Sequence, residues 1–292
     1  MASPEARAGL RAGLAAIAVR AAAAAQVFVD DPAHPVLSPD DAHHLGRVLR
    51  LRAGEEVIVS DGAGHWARTR WTGEAGGAGG ALAALGDDAG PGDDAGPGGD
   101  AGPGGGETGP GGDGRVQFEA AAAPVLTVAF APTKGERPEW VVQKLTELGV
   151  DRVVPLVSER SVVRWSGARG QAAVQRLRRV AREAAAQCRR VWLPEIAEVV
   201  RFDALAGLGA PGDVVLAQLS GDRLRASDQV VAVGPEGGWS VAELASGLPT
   251  VGFGLSVLRA ETAAVTAAAL MVSLRTGTVA QMAPAAPVGE SS

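Results

Sequence analysis

Two glycine-containing turns in the C-terminal half hold the residues best suited to binding and chemistry. The first is Val231-Ala-Val-Gly-Pro-Glu-Gly-Gly-Trp-Ser240. A valine-rich run ends at Val233, and the chain turns through Gly234, Pro235, Glu236, Gly237 and Gly238. Ser240 with Glu243 then forms the capping box of a helix. Glycines at the carboxyl end of a buried parallel strand let the backbone approach a ligand closely. The spacing is neither the G-x-G-x-x-G of a dinucleotide site nor a Gly-Lys-Ser/Thr phosphate loop, so neither of those ligands is expected. The second turn is Phe253-Gly-Leu-Ser-Val-Leu-Arg-Ala-Glu-Thr262, between a strand and the last helix. Three smaller segments accompany them: Lys134-Gly135-Glu136 ahead of a helix carrying Gln143-Lys144 and Glu147, Pro155-Leu-Val-Ser-Glu-Arg160, and Gln187-Cys-Arg-Arg190.

Charge adds a second kind of chemistry. The net charge of −6 sums unlike parts. Residues 73–114 hold six Asp, two Glu and no Lys or Arg, whereas residues 160–190 hold nine Arg against Glu183 alone. Arginine without lysine suits bidentate phosphate contacts, so Arg178, Arg179 and Arg182, which lie off the apolar stripe of their helix, are expected on a phosphate-binding surface. One cysteine, Cys188, excludes an internal disulfide framework, and four His with one Cys disfavour a zinc site. No apolar run reaches the roughly 18 residues that span a bilayer.

The elements that must position these residues follow from periodicity. From Pro124 onward strands and helices alternate, the pattern of an α/β domain. Val125–Ala129, Arg152–Val157, Val214–Gln218, Gln229–Val233 and Thr250–Phe253 read as strands. Pro138 suits the first turn of a helix lined by Val141, Leu145 and Leu148 and ended by Gly149. Residues 171–191 place Val174, Leu177, Ala181, Ala184, Cys188 and Val191 on one continuous stripe, which makes Cys188 a core residue. Ala260–Arg275 is the last helix.

Before Pro124 the strands are short. Gln26–Asp30, Glu55–Ser60 and Ala67–Trp71 with the Asp61-Gly62 turn suggest a small β-barrel, resumed at Arg115–Ala120. Ser38 caps a short helix, and Leu45, Val48 and Leu49 share a helical face with Arg47 and Arg50 beside it. Residues 73–114, with nineteen Gly and four Pro, read as a disordered acidic insertion. Residues 1–25 read as a disordered leader, since Arg20 interrupts the apolar stretch a secretory signal would need. Residues 281–292 read as a frayed tail. The division expected is a barrel over 26–123 and an α/β domain over 124–280.

Taken together, the ordered motifs resemble the ribosomal small-subunit RNA uracil-N3 methyltransferases, within the knotted SPOUT class. The resemblance covers roughly residues 26–72 and 115–280. It implies a PUA-like barrel that helps hold RNA, followed by a trefoil-knotted domain with a parallel sheet. It implies methylation of uridine N3 in 16S ribosomal RNA by S-adenosylmethionine, by a cytoplasmic homodimer acting on an assembled or late-assembly small subunit. Gln218 and Leu219, Gly234 to Gly238, and Phe253, Gly254 and Leu258 would form the three cofactor walls. Arg259 and Glu261 would lie near the methyl group or the target base. Arg47, Arg50, Lys134, Lys144 and Arg160 would join Arg178, Arg179 and Arg182 on RNA. Leu255 and Ser256 stand where the family usually has Pro-Arg, and Ala260 where it has Thr. Two alternatives are a knotted ribose 2′-O-methyltransferase and an RNA-binding member that has lost catalysis.

Overall fold

The computed structural model describes residues 4–73, 82–84 and 115–279. Most of the acidic insertion and the 281–292 tail therefore lie outside the described residues. The chain divides into two compact units. The first is Pro4–Ala121 with Ala185–Leu193, and the second is Ala122–Ala184 with the chain from Pro194 onward. A division at 123/124 alone does not provide for the return of residues 185–193.

The first unit contains α1 (Pro4–Ala22), β1 (Ala25–Phe28), α2 (Pro39–His43), β2 (Glu56–Ser60), β3 (His65–Trp71), β4 (Leu82–Ala84) and β5 (Gln117–Phe118). The sheet runs β1-β2-β3-β4, with β5 also on β3; β1 and β2 are parallel and the other pairs antiparallel. Strand β2 is buried on both faces, so its side chains feed two clusters by simple alternation. Val57 and Val59 pack with Val27, Leu45 and Trp71, while Ile58 packs with Trp66 and Val191.

Two expectations are corrected here. The leader is helical over Pro4–Ala22 rather than disordered, and its Arg20 is buried. Its Nε donates to the Arg189 carbonyl at 3.1 Å, and its Nη1 pairs with Glu119 at 2.7 Å. The guanidinium also lies 5.1 Å from the centre of the Trp66 ring. The second correction concerns the 42–51 helix. The chain forms α2 and then a wide π-turn over His44–Val48, which buries Leu45 but leaves Val48 and Leu49 exposed.

The second unit contains β6 (Thr127–Phe130), α3 (Arg137–Leu148), β7 (Arg152–Val157), α4 (Gly167–Gln187), β8 (Glu195–Ile196), β9 (Val200–Arg201), β10 (Val214–Arg223), β11 (Val230–Val233), α5 (Val241–Leu244), β12 (Thr250–Gly252) and α6 (Ala260–Thr276). The strands form one parallel sheet in the order β12-β10-β11-β6-β7-β8, with β9 also paired to β7. Four-residue β6 and β11 are wholly buried, as central strands covered on both faces must be. Leu145, Leu177, Val231 and Met271 are among the residues of the larger core cluster, and Leu156, Leu216 and Trp239 belong to the other. The stripe of α4 is buried at Val174, Leu177, Ala181 and Ala184. The helix ends at Gln187, so Cys188 lies beyond it and is only half-buried, not a core residue.

Strand β10 pairs with β12 twice. Leu216 and Ala217 lie opposite Thr250 and Val251, and Asp222 and Arg223 lie opposite Val251 and Gly252. Between them the chain bows out through residues 218–221. This close double approach requires glycine, since a Cβ on Gly221 would sit 2.6 Å from Val251 Cα.

Candidate active site

The carboxyl ends of β10, β11 and β12, with the start of α6, enclose a cleft of about 180 Å³. Its walls come from three segments, around Gln218, around Gly234–Glu236 and Gly238, and around Phe253–Gly254 and Ser256–Leu258, with Ala260 and Ala263 of α6; Arg259 and Glu261 are not among the lining residues. Every residue expected in the cofactor walls lines it except Gly237. The Gly237 carbonyl instead accepts a hydrogen bond from Arg160 Nη1 at 3.0 Å.

The Gly-rich turn is held from behind. Trp239 is buried, and its Nε1–H donates to the Ala217 carbonyl at 2.9 Å, fastening the β11 turn to the end of β10. Ser240 and Glu243 complete the capping box of α5. The buried Glu243 carboxylate accepts the N–H of Ser240 at 2.8 Å and the N–H of Glu159 at 2.8 Å. The Ser158-Glu159-Arg160 segment is thereby bonded to the turn through Arg160 and to α5 through Glu159. Gly238 has φ +68° and a Cβ built there meets no protein atom within 4 Å, so the backbone is open on this side. An open backbone edge beside apolar Phe253 and Leu258 fits a nucleoside that presents an aromatic face and polar edges.

Arg259 is the N-cap of α6, exposed, and makes no ion pair among the described residues. Glu261 follows in the first turn, where a carboxylate is favoured by the helix dipole. Its side chain is 13% exposed, and its Oε1 lies 3.9 Å from Nε of Arg137. Nη1 of Arg137 lies 3.8 Å from Oε1 of Glu236 in the Gly-rich turn. Motif reading names Trp239 and Glu243 but not their bonds to Ala217 and Glu159, and it does not name Arg137.

Of the expected RNA contacts, Lys134, Arg160, Arg179 and Arg182 are exposed, as are Arg47 and Arg50 in the first unit. Lys144 and Arg178 are partly buried in bonds to the protein. Lys144 pairs with Glu147 at 2.8 Å. Arg178 donates to the Ile196 carbonyl at 3.0 and 3.2 Å and to Glu198 at 2.9 Å, clamping β8 to α4.

With this geometry in view, comparison with known proteins is decisive. The model of the RNA methyltransferase domain family matches residues 121–272, and that of the RNA methyltransferase PUA domain matches residues 37–74. The chain belongs to the RNA methyltransferase family. It is 30% identical over 260 residues to the ribosomal RNA small subunit methyltransferase E of Mycobacterium bovis, covering 82% of this chain and 86% of that one. It is 29% identical to the enzyme of the same name from Synechocystis, over 82% of this chain and 72% of that one. Among solved structures, the ribosomal RNA small subunit methyltransferase E of Neisseria gonorrhoeae, crystallised with S-adenosyl methionine, superposes with a TM-score of 0.65. It is 22% identical and matches 86% of this chain and 97% of its own. This family member thus has the expected α/β domain with its parallel sheet behind a PUA-like domain. Among the described residues no helix is long and apolar enough to cross a membrane.

Proposed function

We propose that this methyltransferase transfers a methyl group from S-adenosylmethionine to N3 of a uridine in 16S ribosomal RNA. The observation that carries the reading is the cleft between the ends of β10, β11 and β12. It gathers nine of the ten residues expected around the cofactor, and those residues come from three separate segments. The names of the Mycobacterium and Synechocystis relatives point to small-subunit RNA as substrate. S-adenosylmethionine supplies an electrophilic methyl group when bound.

The remaining work falls to the chain. Uracil N3 is a nucleophile only after losing its proton, and the negative charge then spreads to the flanking oxygens. Arg259, exposed at the N-cap of α6, supplies a cation for that charge. Glu261, in the first turn of the same helix, supplies an acceptor for the proton. N3 is hidden in a base pair, so the uridine must be unpaired or extruded. Arg179, Arg182 and Lys134 in the second unit and Arg47 and Arg50 in the first supply exposed positive charge for the flanking phosphates. Exposed Leu219, Leu255 and Val257 beside the cleft favour a homodimer that covers them. The doubled pairing of β10 with β12 accords with a threaded trefoil crossing. A cytoplasmic enzyme acting on an assembled or late-assembly small subunit completes the reading.

The test uses the full chain, labelled S-adenosylmethionine and small ribosomal subunits from cells lacking this enzyme. Mass spectrometry of the 16S RNA is expected to place one new methyl on a uracil base. A methyl on a ribose oxygen, or none in the presence of demonstrated cofactor binding, overturns the reading in favour of the 2′-O or the non-catalytic alternative.

A further inference from the structure

Aromatic side chains are scarce in this chain, with six Trp, five Phe and no Tyr. Four of the five phenylalanines are buried or half-buried, and Phe118 alone is exposed, at 60%. A single exposed apolar residue is ordinary on a protein surface. Phe118 is not single, because two other aromatic rings stand beside it. It lies on β5 directly opposite His65 of β3, so the two side chains share one face of the sheet. The ring centres of His65 and Phe118 are 4.8 Å apart, and the Trp192 ring meets Phe118 edge-on at 6.4 Å. Both neighbours are fixed. His65 Nδ1 is hydrogen-bonded to Asp61 Oδ2 at 2.7 Å. Trp192 Nε1–H donates to the Glu119 carbonyl at 2.8 Å, and its ring lies so close to Gly64 that a Cβ there would come within 2.8 Å of it. Phe118 is thus propped by two held rings while most of its own surface meets water.

The segments that carry these rings also carry positive charge. Arg115 is exposed three residues before Phe118, and Arg189 and Arg190 precede Trp192. Against these three arginines stand Asp61 and Glu119, and Glu119 is already paired with the buried Arg20. Arg189 donates to the carbonyl oxygens of Ala186 and Ala23, which satisfy its hydrogen bonds without cancelling its charge. An exposed, immobilised aromatic ring bordered by arginine suits single-stranded nucleic acid, whose bases stack on the ring while its phosphates meet the cations. We propose that Phe118, propped by His65 and Trp192, is a stacking site for an unpaired base of the substrate RNA other than the target uridine. The proposal rests on the reading of this chain as an enzyme that holds RNA and adds a contact in the first unit. It does not depend on which atom is methylated. Every base has a π face, so the contact adds affinity without selecting a sequence.

The experiment compares the full-length wild type with Phe118→Leu, Phe118→Ala and Phe118→Trp. Three probes are used: a single-stranded oligoadenylate of about 12 nucleotides with a central 2-aminopurine, an abasic strand of the same length, and small ribosomal subunits from cells lacking this enzyme. Leucine keeps the apolar bulk and removes the π face. Phe118 is exposed, so the Phe118→Leu variant is expected to melt with the wild type. Its affinity for the oligoadenylate and the small subunit should fall by about 5- to 50-fold, within the range for one lost base–aromatic stack, and the quenching of 2-aminopurine should fall with it. Phe118→Trp should bind within about twofold of the wild type, since the π face is kept. The abasic strand should bind wild type and variants alike, and the salt slope should not change, because no phosphate contact is removed. Wild-type affinity in Phe118→Leu, or an equal loss on the abasic strand, would overturn the proposal. So would a wild-type dimer that sediments as a monomer in Phe118→Leu, which would make this face a contact between copies of the chain. A methyl found on a ribose oxygen overturns the N3 reading alone. A wild type that binds neither RNA probe nor the small subunit overturns the RNA reading itself, and the proposal falls with it.

Discussion

Gly238 shows how one backbone angle decides which variant is informative. With φ +68° it occupies the left-handed region, so Gly238→Val is strained by about 1–2 kcal/mol whether or not a ligand is near. Asparagine tolerates that region and still fills the open space in front of the backbone. Gly238→Asn is therefore expected to melt near the wild-type temperature but to lose the stabilisation that S-adenosylmethionine gives, about 2.7 kcal/mol at ~100-fold saturation. Melting curves with and without the cofactor decide it; a full ligand shift in Gly238→Asn would remove this turn from the binding wall. The Gly-Pro-Glu-Gly-Gly turn and the Ser240–Glu243 capping box were legible in the sequence because their partners lie within a few residues. Arg137, and the bond from the Glu159 N–H to Glu243, were not. Their partners lie across the fold, and local spacing carries no sign of them.

Helix α4 illustrates the same limit at the level of an element. Periodicity shows its apolar stripe and places Arg178, Arg179 and Arg182 away from it, but does not tell a phosphate contact from a clamp. Arg178→Ala is expected to cost about 1 kcal/mol in urea unfolding, since its bonds to Ile196 and Glu198 are part-exposed, and to leave RNA affinity unchanged. Replacing Arg179 and Arg182 together should instead weaken binding to ribosomal RNA and lower the salt slope by up to about two. Filter binding across a salt series separates the two, and an unaltered slope would make this face merely solvated. Strands β8 and β9 escaped notice because two residues carry no period. In the first unit, the Asp61–His65 turn gives a pH signature. Burial pushes the Asp61 carboxyl up, but the Ala63 N–H, the His65 ring and the His65 N–H outweigh it and hold it below the usual range. A depressed value stabilises the fold above the unfolded-state pKa, near 4, and that contribution is lost as pH falls through the folded value. Asp61→Asn should thus melt lower than wild type at pH 7, with the gap closing in strong acid; a gap independent of pH would show that the charge is not involved.

At the scale of the molecule, the alternation of strands and helices after Pro124 was enough for the α/β class, whereas the order β12-β10-β11-β6-β7-β8 was beyond reach. Propensity names elements but not their neighbours. The N-terminal segment was misread for a related reason: an Ala-rich stretch with few large side chains carries little amphipathic signal, and the partners of Arg20 lie 99 and 169 residues away. Arg20→Ala removes one member of a largely buried pair and is expected to cost about 2–3 kcal/mol, below the fully buried case because Glu119 is 35% exposed. Removal of residues 1–22 should destabilise the first unit at least as much by chemical denaturation, and an unshifted midpoint would return the segment to a dispensable leader. The double pairing of β10 with β12 has a further consequence for the growing chain. A ribosome releases residues in order, and β10 emerges before the segment it must embrace. Helix α4, with its arginines, is complete while the cleft still lacks the wall that ends at Ala263. A nascent chain halted between the two already carries its arginine-rich helix and has no pocket. Birth order thus gives this protein the arginine face first and the cleft last.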